Sequence, residues 1–123
     1  MYQLHIETHF SSAHNLRGYQ GKCEKLHGHN YIVEVEVSGD ELDGTGILAD
    51  FKVIKKLCKK VTERLDHGYL NEIEPFDRIN PTTENIARHL CEAIQDELPA
   101  GLRATSVTCW ESEKCGAKYV PEI

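Results

Sequence analysis

From Tyr2 to His14 apolar and polar side chains alternate, with Tyr2, Leu4, Ile6 and Phe10 on even positions and His5, Glu7 and His9 on odd ones. A period of two predicts a strand with one buried face, and parity carried forward puts Ser12 and His14 on that face. Between residues 27 and 38 the parity reverses: Tyr31, Val33, Val35 and Val37 are apolar, while Glu34, Glu36 and Ser38 are expected to face water. Carried backwards, that parity turns His27 and His29 inward as well. The period then changes. Behind Asp50, a capping residue, Phe51, Ile54, Leu57, Cys58, Val61 and Leu65 recur at helical spacing and predict a helix to about Arg64. Lys52, Lys55, Lys56, Lys59 and Lys60 lie mostly off that stripe and read as a solvated face. A second helix is predicted after Asn80-Pro81-Thr82-Thr83-Glu84, where a threonine can cap. It carries Ile86, Ala87, Leu90, Cys91, Ile94 and Leu98 up to a stop at Pro99-Ala100-Gly101. Leu102 to Glu111 and Ala117 to Val120 read as two closing strands about a turn at Glu113-Lys114-Cys115-Gly116.

The predicted order is ββααββ, an α+β domain whose four-stranded antiparallel sheet carries both helices on one face. Antiparallel pairing of the first two strands sets the end of the first beside the start of the second, which brings His14 level with His27 and His29. Three imidazoles then converge at one end of the sheet. Three protein ligands with a fourth position open is the arrangement of a catalytic zinc. The hairpin loop, roughly Asn15 to Leu26, carries Cys23 and keeps a thiol close to those imidazoles. As a fourth ligand, Cys23 would close the site into a structural one. His5, His9 and His89 are given no role. An open four-stranded sheet exposes a bare face and two edges, and self-assembly into a closed barrel would cover them.

Composition narrows the picture further. With 123 residues and 40% apolar content, the chain suits a single domain, residues 1–123, with one modest core. No basic segment followed by an apolar run opens the sequence, and no stretch approaches the roughly 18 apolar residues of a membrane span, so a cytoplasmic protein is expected. Five cysteines, at 23, 58, 91, 109 and 115, lack paired spacing, and Cys58 and Cys91 fall on apolar helix faces; no disulfide framework is expected. A net charge of −6 argues against a general nucleic-acid surface. An anionic substrate would be met by local cations, for which Arg17, Lys22, Lys25 and Lys118 are available.

Taken together, Ala13-His14, Cys23 with His27-Gly28-His29, Leu65-Asp66-His67, Asn80-Pro81-Thr82-Thr83-Glu84 and Glu111 resemble the 6-pyruvoyl-tetrahydropterin synthase family over nearly the whole chain. The three-residue gap between Cys23 and His27 most resembles the 6-carboxy-tetrahydropterin synthase branch of the queuosine pathway. The resemblance implies a tunnelling fold (T-fold) assembled as a homohexamer of two stacked trimers, with the active site between subunits. The implied reaction converts 7,8-dihydroneopterin triphosphate to 6-carboxy-5,6,7,8-tetrahydropterin, acetaldehyde and triphosphate, a lyase reaction with Zn2+ held by His14, His27 and His29 and no redox cofactor.

The residues suit such chemistry. Rearranging a vicinal diol requires removal of protons from carbon and oxygen, which a bound zinc ion eases by lowering hydroxyl pKa values. Cys23 is then the general base, its thiolate favoured beside a dication. His67 relays the proton and Asp66 orients or balances it. Sequence neighbours do not normally face each other, so Asp66 and His67 are expected to meet Cys23 separately; an Asp-His-Gly helix cap is the alternative. Glu111, expected inside the penultimate strand, can accept the 2-amino and N3 hydrogens of a pterin as a fork, and a solvent-facing glutamate is its ordinary reading. Thr83 and Glu84 can touch substrate or simply cap. Three other activities share the same residues: 6-pyruvoyl-tetrahydropterin synthesis, a zinc hydrolase, and a zinc-stabilised module without catalysis. Glu24, directly after Cys23, bears on which side-chain bond is cut, since related synthases with an acidic residue near this position shift their cleavage.

Overall fold

The computed structural model describes residues 1–18 and 25–122. Two long strands, β1 (Tyr2–His14) and β2 (His27–Gly39), pair antiparallel without interruption from Tyr2 opposite Gly39 to His14 opposite His27. The alternation read from the sequence holds. Ile6, Phe10, Tyr31, Val33, Val35 and Val37 are all buried on the shared inner face. Two helices cover that face, α1 (Phe51–Glu63) against β1 and α2 (Thr83–Glu97) against β4 (Arg103–Trp110) and β5 (Gly116–Tyr119). Both caps are in place: the Asp50 side chain accepts from Lys52 N, and the Thr82 hydroxyl accepts from Asn85 N.

The sheet has five strands, ordered β3-β1-β2-β4-β5, where four were expected. The extra one, β3 (Gly68–Tyr69), pairs parallel to β1 at Ser12 and Ala13. Two residues are too few to establish a period, so no alternation could have revealed it. Three further expectations are corrected. Ser38 is buried, 4% exposed, because the β2–β4 register shifts between Glu36 and Val37 and Ser38 Oγ meets Thr105 Oγ1 at 3.0 Å. Phe51 is 54% exposed as the first residue of α1, whose buried face starts at Ile54. Glu111 lies one residue past the end of β4, where its N–H donates to Cys115 O to close the β4–β5 turn. Cys58, Cys91 and Cys109 are buried free thiols, and burial pushes that of Cys109 up to about 12, which keeps it protonated and inert. No helix among the described residues is long and apolar enough to cross a membrane.

Candidate metal centre and proton-relay pair

At one end of the sheet, His14, His27, His29 and Glu111 bring one ligand atom each to within 4.8 Å of one another. Strand parity places the histidines there; the β4–β5 turn delivers Glu111. His14 is 1% exposed, and its Nδ1–H donates to Pro81 O at 2.8 Å. The His27 Nδ1–H donates to Lys25 O at 2.7 Å. A carbonyl can only accept, so these contacts assign the tautomers: in the neutral rings each Nε2 carries a lone pair. Those two Nε2 atoms lie 3.1 Å apart. Facing lone pairs repel unless something positive lies between them.

His29 adds a third nitrogen. Its Nε2 comes within 2.8 Å of Glu111 Oε1 but, among the described residues, is a buried polar atom without a hydrogen-bond partner. Glu111 Oε1 also lies 3.5 Å from His14 Nε2. Burial holds both His14 and His29 below the ordinary imidazole value of 6.5, and neighbouring histidines add to this while Glu111 opposes it. Neutral imidazoles with converging lone pairs are what a metal requires. Zn–N bonds of about 2.0–2.1 Å at tetrahedral angles set nitrogens roughly 3.3 Å apart, close to the His14–His27 spacing. The donor set therefore fits a zinc ion.

Asp66 and His67 follow α1. Contrary to expectation, they do face each other: His67 Nδ1 lies 3.0 Å from Asp66 Oδ2. His67 has φ +54°, a left-handed backbone that swings its side chain back over its neighbour. β1 holds this turn from two sides. Ser11 N donates to Asp66 Oδ1 at 2.8 Å and accepts at its carbonyl from His67 N at 2.6 Å. The Ser12 hydroxyl sits 2.7 Å from Leu65 O and 2.8 Å from Gly68 O. The Ser11 bond, more than the pairing with His67, lowers the Asp66 carboxyl below its ordinary value. An open groove of about 350 Å³ has His29 of the cluster and His67 of the pair on its wall, with Ser11, Ser12, Gly28 and Asn30 among the other lining residues. A larger depression of about 670 Å³, beside Asp40 and Leu102 past the far end of β2, contains no histidine.

Cys23, Lys22 and Glu24 lie outside the described residues. Thr83 and Glu84 stand in the first turn of α2, where it is Thr82 that caps. Of the suggested cations, Arg17 donates through Nη2 to Phe76 O and Ile79 O, and Lys118 is 4.0 Å from Glu36. Sequence reasoning missed the carbonyls of Pro81 and Lys25, which no residue pattern encodes. It missed Glu111 as a member of the histidine cluster too. The parity that brings Tyr31 and His29 inward also reaches Glu111, two residues after Cys109, which is buried opposite Val33 of β2.

Comparison with known proteins converges on one family. A family-wide profile described as 6-pyruvoyl tetrahydropterin synthase matches residues 3–122. A Bacillus subtilis 6-carboxy-5,6,7,8-tetrahydropterin synthase is 41% identical over 99 residues, 76% of this chain and 66% of that protein, so the match spans about two thirds of that relative's length. A Pyrococcus furiosus dihydroneopterin monophosphate aldolase is 36% identical over 109 residues, 89% of each chain. The structure of Caenorhabditis elegans 6-pyruvoyl tetrahydropterin synthase superposes with a TM-score of 0.87 at 26% identity, covering 98% of this chain and 96% of that one. The chain belongs to the 6-pyruvoyl tetrahydropterin synthase family and is a lyase-type pterin enzyme.

Proposed function

We propose that this protein is a zinc-dependent 6-carboxy-5,6,7,8-tetrahydropterin synthase of queuosine biosynthesis. It acts in the cytoplasm on 7,8-dihydroneopterin triphosphate as a homohexamer of two trimers with sites between subunits. The observation that carries the chemistry is the convergence of three imidazole nitrogens beside a groove that leads to an Asp–His pair. The 41% identical Bacillus subtilis relative supports the choice of product.

His14, His27 and His29 hold the metal, and Glu111 stands beside them. Zinc bound there supplies a Lewis acid that makes the protons of the substrate side chain easier to remove. His67, with Nδ1–H donating to Asp66, keeps Nε2 free to accept or return a proton at the groove. The side chain of His67 is 82% exposed, which leaves that nitrogen open to a substrate or to a neighbouring subunit. Asp66 fixes the ring and balances the positive charge that forms when it is protonated. Cys23 takes the first proton as thiolate. Glu111 receives the pterin ring's paired N–H donors, and Thr83 and Glu84 contact the substrate from α2.

The deciding experiment is mass spectrometry of products from zinc-loaded protein and 7,8-dihydroneopterin triphosphate, with Cys23→Ala as control. A 6-carboxy-tetrahydropterin product that disappears in the variant supports the reading. A pyruvoyl product selects the sibling synthase, to which the Caenorhabditis elegans fold neighbour belongs. The Pyrococcus furiosus relative favours one further reading, an aldolase on a dihydroneopterin phosphate, which would release a two-carbon aldehyde and leave a hydroxymethyl pterin. Activity that survives Cys23→Ala, with none of these products, would instead point to hydrolysis.

A further inference from the structure

The Asn80-Pro81-Thr82 run does more than start α2. Pro81 gives its carbonyl to His14 Nδ1 at 2.8 Å, and this contact aims the Nε2 lone pair into the cluster. Pro81 lies outside any strand or helix, so something else must fix the position of its carbonyl. Two sets of bonds do so. On one side Asn80 and Arg17 are joined by a reciprocal pair: Arg17 N donates to Asn80 Oδ1 at 2.8 Å, and Asn80 Nδ2 donates to Arg17 O at 3.0 Å. The side-chain amide here imitates the edge of a strand against the chain leaving β1. Arg17 Nη2 adds donations to Phe76 O at 2.6 Å and Ile79 O at 3.1 Å, gathering the approach to Asn80 onto the same point. On the other side Asn80 O accepts from Thr82 N at 2.8 Å and from Asn85 Nδ2 at 2.9 Å, which ties the segment to the start of α2.

We infer that Arg17 and Asn80 are positioning residues of the metal centre, forming an outer shell that acts through Pro81 on the tautomer and orientation of His14. The inference rests on the zinc reading above and assigns a role to residues that touch neither metal nor substrate. Outer partners of ligating histidines typically change metal affinity 10–100-fold when removed. The place of Arg17 three residues beyond His14 explains why an exposed arginine is bound to two backbone carbonyls.

The test is zinc affinity, measured by competition with a chromophoric chelator, for wild type, Asn80→Ala, Arg17→Ala and His14→Ala. Exchange of the His14 Nδ1–H with water is followed by NMR in the same samples. Asn80→Ala and Arg17→Ala should weaken zinc binding about 10–100-fold and speed Nδ1–H exchange, with unchanged far-ultraviolet circular dichroism. His14→Ala should cost more than either. Should Asn80→Ala fail to fold, Arg17→Ala and Arg17→Lys decide, with lysine, whose ammonium reaches less far than the Nη2 that makes both donations, giving an intermediate affinity. Folded variants with wild-type zinc affinity would overturn the outer-shell role alone. A wild-type protein that binds no zinc would overturn the metal centre, and the role with it.

Discussion

Replacing Ser12 by alanine should loosen the turn that presents Asp66 and His67. The hydroxyl is 7% exposed and lies within 2.8 Å of both Leu65 O and Gly68 O, the carbonyls that bracket the pair. It has one proton, which the two carbonyls share. Removing an average hydrogen bond costs about 0.5–1.5 kcal/mol, and leaving a buried acceptor without a partner raises that to about 1–3 kcal/mol. The same turn carries a left-handed non-glycine residue, His67 at φ +54°, a conformation that costs about 1–3 kcal/mol and persists only while its surroundings enforce it. Relaxation of His67 would return some of that cost, which favours the middle of the range, about 2 kcal/mol. With a urea slope of about 2 kcal/mol per M, the midpoint should fall by roughly 1 M with the slope unchanged. Zinc-free protein followed by circular dichroism is the appropriate sample, because metal binding would add its own stabilisation. In the loaded enzyme, kcat should fall more than KM rises, since the Ser12 hydroxyl is spent on the carbonyls that bracket Asp66 and His67. A loss below about 0.5 kcal/mol, the level of an ordinary surface substitution, would refute the reasoning.

Zinc at about one hundred times its dissociation constant should stabilise the protein by about 2.7 kcal/mol, roughly 10 °C in melting temperature for a domain of this size, and His14→Ala should abolish the shift in differential scanning fluorimetry. In metal-free protein, burial and the nearby Arg64 hold His89 below its ordinary 6.5. The unfolded chain therefore binds the proton first, and stability present above pH 6.5 should be lost as pH falls through the lowered folded value. His14 and His29 act in the same direction. Urea midpoints between pH 7.5 and 5 should show this slope, and His89→Gln should reduce it without removing it. Gly116→Ala should destabilise by about 1–3 kcal/mol, because an added Cβ would lie 2.7 Å from the Trp110 ring and 2.9 Å from Cys109 O. Trp110 is the sole tryptophan, so its fluorescence reports the rearrangement directly.

What could be read from residues alone follows their periodicity. The even-position parity of Leu4, Ile6 and Phe10 in β1, carried forward, told which way His14 points, and the reversed parity of β2 did the same for His27 and His29. Asp50 and Thr82 were recognisable as caps because capping depends on residue type at one position. The failures lie where geometry depends on the backbone. β3 is two residues long and is made by Ser12 and Ala13 drawing the chain onto an edge. The contact between Asp66 and His67 needs a left-handed residue that is not glycine, which no propensity anticipates. The burial of Ser38 follows a one-residue register shift between Glu36 and Val37, invisible in a strand whose alternation continues through it.

The position of that shift has a consequence for the site. β1 and β2 pair in unbroken register along their full length, so the order Ser11, Ser12, His14 has a fixed meaning: odd positions look to the outer groove and even ones to the metal end. Ser11 and Ser12 hold the relay turn, and His14, two residues on, enters the histidine cluster. One strand thus sets the distance between the metal centre and the Asp–His turn of the same chain. A bulge in this stretch would turn either the serines or the histidine to the wrong face. The sheet's irregularity falls instead between β2 and β4 at Glu36/Val37, nine residues from the His27 end of β2, where the side chains are core and surface and none belongs to the histidine cluster. The irregularity falls where only packing must adjust, and the end that carries the histidine cluster remains regular.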